Sequence, residues 1–286
     1  MTTTKRDLEG RCSQRPEEKA ATGVASNAPP VIKVRDLSMS FSGKRPQERI
    51  DVLRSVGLEV QQGEFVCIVG PSGCGKSTLL NLVAGFIKPT KGSILVQGSP
   101  VVGPDPKRIF VFQENGVFPW LTVEQNVGFG LARRAETDRR KIVQHYVQMV
   151  GLTGFEKAYP RELSGGMRQR VEIARALAAN PEIIYMDEPF GALDFMTRMK
   201  MRADLTRIWQ EEQKTVLFVT HDIEEAVQLA DRVVIMDARP ATIQTQVVVN
   251  LPRPRDLDSP GYLQVRDQIF HTMGMSLTVG SRSVAT

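Results

Sequence analysis

The run Gly70-Pro71-Ser72-Gly73-Cys74-Gly75-Lys76-Ser77-Thr78 restricts the fold more than any other part of the chain. It reads G-x-x-x-x-G-K-S, the spacing of a loop that cradles nucleotide phosphates. So short a pattern depends on its surroundings. Upstream, Phe65-Val66-Cys67-Ile68-Val69 is a continuous apolar run of strand character. Downstream, Leu79, Leu80, Leu82 and Val83 follow helical spacing between Lys76 and Ala84. A phosphate loop needs strand, glycine-rich turn and helix in that order. Glycines let successive N–H groups converge on the anion, and the helix brings its positive N-terminal end to the same point. The pattern then gives Lys76 to the β- and γ-phosphates and the Ser77 hydroxyl to Mg²⁺.

Further apolar runs lie at Ile109-Phe110-Val111-Phe112, Ile183-Ile184-Tyr185-Met186, Val216-Leu217-Phe218-Val219 and Val233-Val234-Ile235-Met236. Near-continuous runs of this length suit a mostly parallel sheet covered on both faces. Val31 to Val34 and Leu58 to Val60 alternate instead. From Gln113 to about Asn180 helical patterns take over, notably Lys141 to Val150 and Gly165 to Ala179, which predicts a helical subdomain at about 114–180 inserted into an α/β core. Residues 1–30 are polar, mixed in charge and end in Ala28-Pro29-Pro30, and are expected to form a disordered leader. The tail 251–286, with Pro252, Pro254 and Pro260, is expected to leave the core and pack as a short appendage.

Composition removes several function classes. The net charge of +5 is mild and spread along the chain, which argues against a nucleic-acid partner. Cys12, Cys67 and Cys74 have neither disulfide-framework nor metal-site spacing, and fit a reducing compartment. No apolar run approaches the roughly 18–20 residues that cross a bilayer, and the N-terminus lacks the apolar core of a signal peptide.

Four other places carry chemistry. Asp187 and Glu188 end a hydrophobic strand; Asp187 suits Mg²⁺ and Glu188 suits the attacking water. Ser164 is a natural N-cap, and Gly165 and Gly166 bare the backbone of the helix it opens, which makes a second anion-binding terminus. His221 follows the strand ending at Thr220, at the sheet edge where open α/β folds hold ligands; there it can bond the γ-phosphate and steer Glu188. Gln113 stands where the helical insertion begins and can sense Mg²⁺ or the γ-phosphate.

Together these elements resemble the ATP-binding subunit of ABC transporters over about Val31 to Asn250. Gly70 to Thr78 resembles the Walker A loop, and Ile183 to Glu188 the Walker B strand with its catalytic glutamate. Leu163-Ser164-Gly165-Gly166-Met167 resembles the LSGGQ element, with Met167 where glutamine is usual. Gln113 matches the Q-loop, Ala192-Leu193-Asp194 the D-loop and His221 the switch histidine. The resemblance implies an ABC ATPase domain over 31–250, a phosphate-loop NTPase core carrying an antiparallel β-subdomain and the helical insertion. It implies ATP and Mg²⁺ as cofactors, with Ser77, Gln113 and Asp187 near the metal, and Glu188 and His221 in catalysis. It also implies a head-to-tail dimer of two such subunits, in which Ser164, Gly165 and Gly166 reach the nucleotide of the other copy. Phe41 best fits the adenine-stacking position, where tyrosine is usual; it keeps the aromatic face.

Two segments resemble the nitrate/sulfonate/taurine importer group: Phe118-Pro119-Trp120-Leu121-Thr122-Val123-Glu124-Gln125-Asn126-Val127, and Leu251-Pro252-Arg253-Pro254-Arg255-Asp256. That group implies a transmembrane permease, a separate solute-binding protein and a peripheral position on the cytoplasmic face of the inner membrane. An importer for another solute, an export ATPase or a non-transport ABC ATPase are the alternatives. Phe118, Trp120 and Leu121 read either as docking anchors for a partner helix or as a small core of the insertion. Arg133-Arg134 and Arg139-Arg140-Lys141 read as a solvated helix face or as a surface for anionic headgroups.

Overall fold

The computed structural model describes residues 29–43, 49–113 and 116–275. The expected leader falls almost wholly outside these residues, Cys12 with it, as does the tail beyond Met275. The chain begins with β1 (Ile32–Ser42), β2 (Arg49–Val60) and β3 (Phe65–Val69), then α1 (Lys76–Ala84) and the strands β4 (Lys91–Val96), β5 (Ser99–Pro100) and β6 (Arg108–Val111). Next come α2 (Val123–Val127), α3 (Glu136–Met149) and α4 (Gly165–Ala178), and then β7 (Ile183–Asp187), α5 (Phe195–Glu212), β8 (Thr215–Val219) and α6 (Ile223–Leu229). The last elements are β9 (Arg232–Met236), β10 (Ile243–Val248) and α7 (Pro260–Thr272).

Two sheets result. One is antiparallel, in the order β2-β1-β4-β5; the other runs β10-β9-β3-β8-β7-β6. In the second, β9, β3, β8, β7 and β6 pair in parallel and β10 adds an antiparallel edge. Side chains alternate across a strand, so each apolar run feeds two cores. Val66 and Ile68 join a cluster with β1, β2 and α1, whereas Phe65, Cys67 and Val69 join the cluster that holds the inserted helices, α5 and α6. β3, β7 and β8 are buried at every residue, which is why they read as continuous rather than alternating.

The inserted helices differ from expectation at one boundary. α3 starts at Glu136, before the predicted Lys141, because its first turns are polar on every side and give no apolar period; Glu136 and Asp138 sit in its first turn and favour a helix start there. α2 was not legible as a helix at all. Its five residues are fixed by a capping box, Thr122 accepting from the N–H of Gln125 and the Gln125 side chain from that of Thr122. Fully buried Asn126 then ties the preceding loop down, accepting from Phe118 N and donating to the carbonyls of Phe118, Leu121 and Thr122. Phe112 lies beyond the end of β6 and is exposed.

The tail packs back on the core: α7 buries Tyr262 and Ile269 in the larger cluster, with Leu251, Leu263 and Phe270 packed against it. Pro260 stands in the first turn of α7 behind the N-cap Ser259.

Candidate functional site

The phosphate loop links the buried end of β3 to α1. Gly75 has φ 124°, outside the range of ordinary L-residues, and a side chain there meets Val52 Cγ1 at 2.8 Å and Leu53 Cδ2 at 3.0 Å. Gly73 is also left-handed, with φ 71°. At Gly70 a Cβ meets the carbonyl oxygen of Met236 at 2.7 Å, so β9 closes on the loop from one side while β2 closes on it from the other. Among the described residues, the N–H groups of Gly73, Gly75 and Ser77 donate to no backbone carbonyl. Unpaired N–H groups at a helix start are the physical content of an anion nest. Pro71, Ser72 and Gly73 are exposed and Thr78 is half-buried. Cys74 is buried under the loop, and that burial pushes its thiol pKa up.

Lys76 is buried, its ammonium donating to the carbonyls of Gly70 at 3.0 Å and Pro71 at 3.1 Å. Ser77 Oγ donates to Asp187 Oδ1 at 2.9 Å. β3 and β7 are separated by β8 in the sheet, so a hydroxyl and a carboxylate 110 residues apart meet at one sheet edge. Burial raises the Asp187 pKa and the neighbouring Glu188 charge adds to this, against the Ser77 hydrogen bond and the Lys76 charge.

Glu188 leaves the strand at φ 44°, a strained conformation for a side-chain-bearing residue. Its N–H donates to Val219 O at 2.9 Å and its Oε2 lies 2.9 Å from His221 Nδ1. Asp187 and Glu188, adjacent in sequence, thereby serve two places: one faces the loop serine, the other the histidine at the end of β8. The amide nitrogen of Gln113 and Glu188 Oε2 each lie 3.9 Å from the position a Cβ would take on Gly191, so those two side chains flank the same glycine. The loop, Asp187, Glu188, His221 and Gln113 are thus brought to one end of the parallel sheet.

Phe41 is partly exposed near the end of β1 and pairs with Ile50, two residues before the Val52 that closes on Gly75. Ser164, Gly165 and Gly166 stand apart. Ser164 is exposed and caps its own helix, accepting from Met167 N at 3.3 Å. Gly166 packs so closely on α5 that a Cβ would meet Thr197 Cγ2 at 2.4 Å. Among the described residues no hydrogen bond joins this segment to the phosphate loop. Asp194 likewise caps α5, accepting from Thr197 N at 3.1 Å.

Sequence reasoning missed several neighbours. Arg239 Nη2 donates to Gly73 O at 2.6 Å from the β9–β10 connection, where no pattern marks it. Glu172, buried on α4, accepts from the N–H groups of Phe112 at 3.4 Å and Gly116 at 3.1 Å, on either side of the Gln113 turn. A glutamate in an apolar helical face was the only available signal. Trp120 and Phe129 are exposed, with Phe118 between them at ring distances of 5.6 Å and 4.5 Å and Arg175 stacked on it at 4.7 Å. Arg140 is paired with Glu136 at 2.8 Å.

Comparison with known proteins agrees with this geometry. Residues 53–191 match the family model described as ABC transporter. A Brucella abortus ATP-binding protein is 47% identical over 249 residues, covering 85% of this chain and 94% of that one. A nitrate import ATP-binding protein of Synechocystis is 49% identical over 223 residues, 77% of this chain and 83% of its own. An aliphatic sulfonates import ATP-binding protein of Bacillus cereus is 42% identical over 239 residues, 84% and 94%. Among solved structures, a dimeric bacterial ABC transporter cassette superposes with TM-score 0.67 at 35% identity, covering 76% of this chain and 98% of that chain. A post-hydrolysis form of the same cassette, holding ADP and Pi, gives 0.66. Identity of this order over nearly the whole length of the relatives, on a fold that gathers the loop, Asp187 and Glu188 at one sheet edge, has one reading: the chain belongs to the ABC transporter family, as one of its ATP-hydrolysing cassettes.

Proposed function

We propose that this cassette powers uptake of a solute of the nitrate, sulfonate or taurine type through a separate transmembrane permease, fed by a separate solute-binding protein. The relatives named for nitrate and sulfonate import support the solute class. Among the described residues no helix is long and apolar enough to cross a membrane, so the crossing would be made by the permease, with this chain on its cytoplasmic face. The aromatic group of exposed Trp120 and Phe129 with half-buried Phe118 suits the docking of a permease helix. The chain would divide into the ATPase domain over 31–250, the helical insertion at about 114–180 and the tail from 251.

The geometry and the resemblance support the following residue roles. The backbone of Gly70 to Thr78, through its N–H groups other than at Pro71, cradles the phosphates, Lys76 swings from its loop carbonyls to the β- and γ-oxygens, and Phe41 stacks on adenine. The Ser77 hydroxyl and Asp187 carboxylate are hard oxygen donors 2.9 Å apart. They fit Mg²⁺, which takes one or two protein oxygens plus phosphate and water, and Gln113 would lie within reach of it. When bound, the ion neutralises charge developing on the transferred phosphoryl group. Glu188 orients the attacking water and accepts its proton; His221, fixed to Glu188, holds that carboxylate and offers its second ring nitrogen to the γ-phosphate. Water attacks phosphorus, the bond to the ADP oxygen breaks, and ADP and Pi leave. Ser164, Gly165 and Gly166 close the site from a second copy.

The Glu188–His221 pair beside the Ser77–Asp187 pair carries this reading. Uptake in cells lacking the chain tests it, with nitrate, taurine and alkanesulfonates supplied one at a time as sole nitrogen or sulfur source. Growth on each, unaltered by deletion, would reject the solute class.

A further inference from the structure

The Leu251-Pro252-Arg253-Pro254-Arg255 segment has no place in the hydrolytic chemistry described above, and it is built at high cost. Arg253 and Arg255 are both half-buried, and burial together with the Arg253 charge pushes the Arg255 pKa down to about 10, still protonated at neutral pH. Taking guanidinium groups even partly out of water costs desolvation. What they hold explains their presence. α6 has only seven residues, Ile223–Leu229. Its last carbonyls have no partners within the helix. Arg253 Nη2 donates to Leu229 O at 2.6 Å, and Arg255 Nη1 donates to Val227 O. The other arm of each guanidinium is anchored: Arg255 on Val249 O at 3.3 Å, Arg253 on Asp231 Oδ1 at 2.7 Å. Asp231 in turn accepts from the N–H of Phe65, the first residue of the strand that feeds the phosphate loop. Arg253 also lies over the Trp209 ring at 4.4 Å.

The opposite end of the same helix carries His221. Asp222 caps α6, accepting from the N–H groups of Glu224 at 2.9 Å and Glu225 at 3.3 Å. Glu225 accepts from the Thr220 hydroxyl at 2.6 Å, and Thr220 Oγ1 accepts from Asp222 N at 3.0 Å. His221 is therefore held on both flanks by α6 itself. The first turn of the helix is gripped by α7, where Tyr262 OH donates to the Glu224 carboxylate and Arg266 pairs with it at 3.7 Å. A helix of this length spans about 10 Å and moves as one body, so a shift at its C-terminus reaches the histidine.

We infer that Arg253 and Arg255, with Tyr262, are positioning residues for hydrolysis: the arginines clamp the C-terminal end of α6 to the phosphate-loop strand, Tyr262 holds its first turn, and together they fix the register of His221 against Glu188. The inference rests on the reading of His221 given above. It makes the tail a part of the ATPase rather than a separate attachment.

The test uses the full-length chain and its Arg255→Ala, Arg255→Lys, Tyr262→Phe and His221→Ala variants. Affinity is read with a fluorescent trinitrophenyl-ATP, turnover as steady-state ATP hydrolysis, and the histidine by the NMR signal of its ring C–H protons, assigned by its loss in His221→Ala. Arg255→Ala should lower kcat by roughly tenfold to a hundredfold, the scale of small misplacements in a reacting site. KM and nucleotide affinity should hold within about twofold, and the His221 signal should move while that of His145 stays. Arg255→Lys should recover part of kcat, since one ammonium can still hold a helix carbonyl. Tyr262→Phe loses a single hydroxyl and serves where Arg255→Ala does not fold; it should give the same changes, smaller. Unaltered kcat in folded Arg255→Ala or, if that variant does not fold, in Tyr262→Phe overturns the inference, as does a fall in kcat with the His221 signal unmoved. Full turnover by His221→Ala instead rejects the role given to His221.

Discussion

The phosphate-loop side and the Ser164 side of this cassette are built on different terms. On the loop side, side chains remote in sequence are already in contact, Ser77 with Asp187 and Glu188 with His221, and Lys76 is held by the carbonyls of its own loop. On the other side, Ser164 is exposed and its side chain caps its own helix. Preorganisation on the first side comes from the parallel sheet, whose strands end together. On the second it is only local, a capped helix start pressed on Thr197. A surface prepared locally and left open is what an intersubunit contact needs; a hydrolytic centre needs its dipoles fixed beforehand.

That contrast can be broken at four points. Glu188→Gln should give the largest change: turnover falls by about 10³, ATP affinity persists and closed dimers accumulate, seen by size-exclusion chromatography with ATP. Ordinary turnover by this variant removes Glu188 from the mechanism. Ser164→Arg should lower ATPase activity by about 10² while the monomer binds nucleotide as before; parallel loss of both would mean misfolding rather than a blocked contact between copies. Gly75→Ala acts on the loop side alone. The strained φ and the contact with Val52 should cost about 1–3 kcal/mol, read by urea unfolding, and weaken ATP binding with no effect on the Ser164 surface.

The smallest effect has the opposite sign. The folded-state pKa of Asp187 is raised by burial. The folded chain then holds this proton to higher pH than the unfolded one, so the carboxylate reduces stability as pH rises from the unfolded-state pKa through the folded-state pKa, and the penalty is complete above the latter. Asp187→Asn should raise Tm slightly at pH 7, with the gain fading in acid, while Mg²⁺-dependent hydrolysis is lost. A fall in Tm at pH 7 would show that the Ser77 hydrogen bond outweighs burial.

Legibility in the sequence followed the range of the cause. The strands β3, β7 and β8 were readable because burial on both faces demands unbroken apolar runs, and the loop because its glycines answer local backbone needs. α4 was readable from its cap and its apolar face. α2 and the first turns of α3 were not, since a capping box on five residues and a polar helix start give no period. The extent of the tail's packing was not legible, because its prolines carry no apolar period, yet Tyr262 and Ile269 are buried beyond them. Arg239 on Gly73 and Glu172 beside the Gln113 turn had no sequence signal strong enough to single them out.

By itself the sequence determined the order of the chemical groups along the chain and the local geometry each requires: glycines for a backbone that turns back on an anion, a serine to open a helix, carboxylates at a strand end. Tertiary structure alone decided which of these groups meet. Strand order sets β3 two places from β7 and His221 beside Glu188, and the arginines of the tail find the last carbonyls of α6 across the fold. Pairing of that kind depends on how buried surfaces stack, a property of the whole packed chain that no short stretch of residues contains.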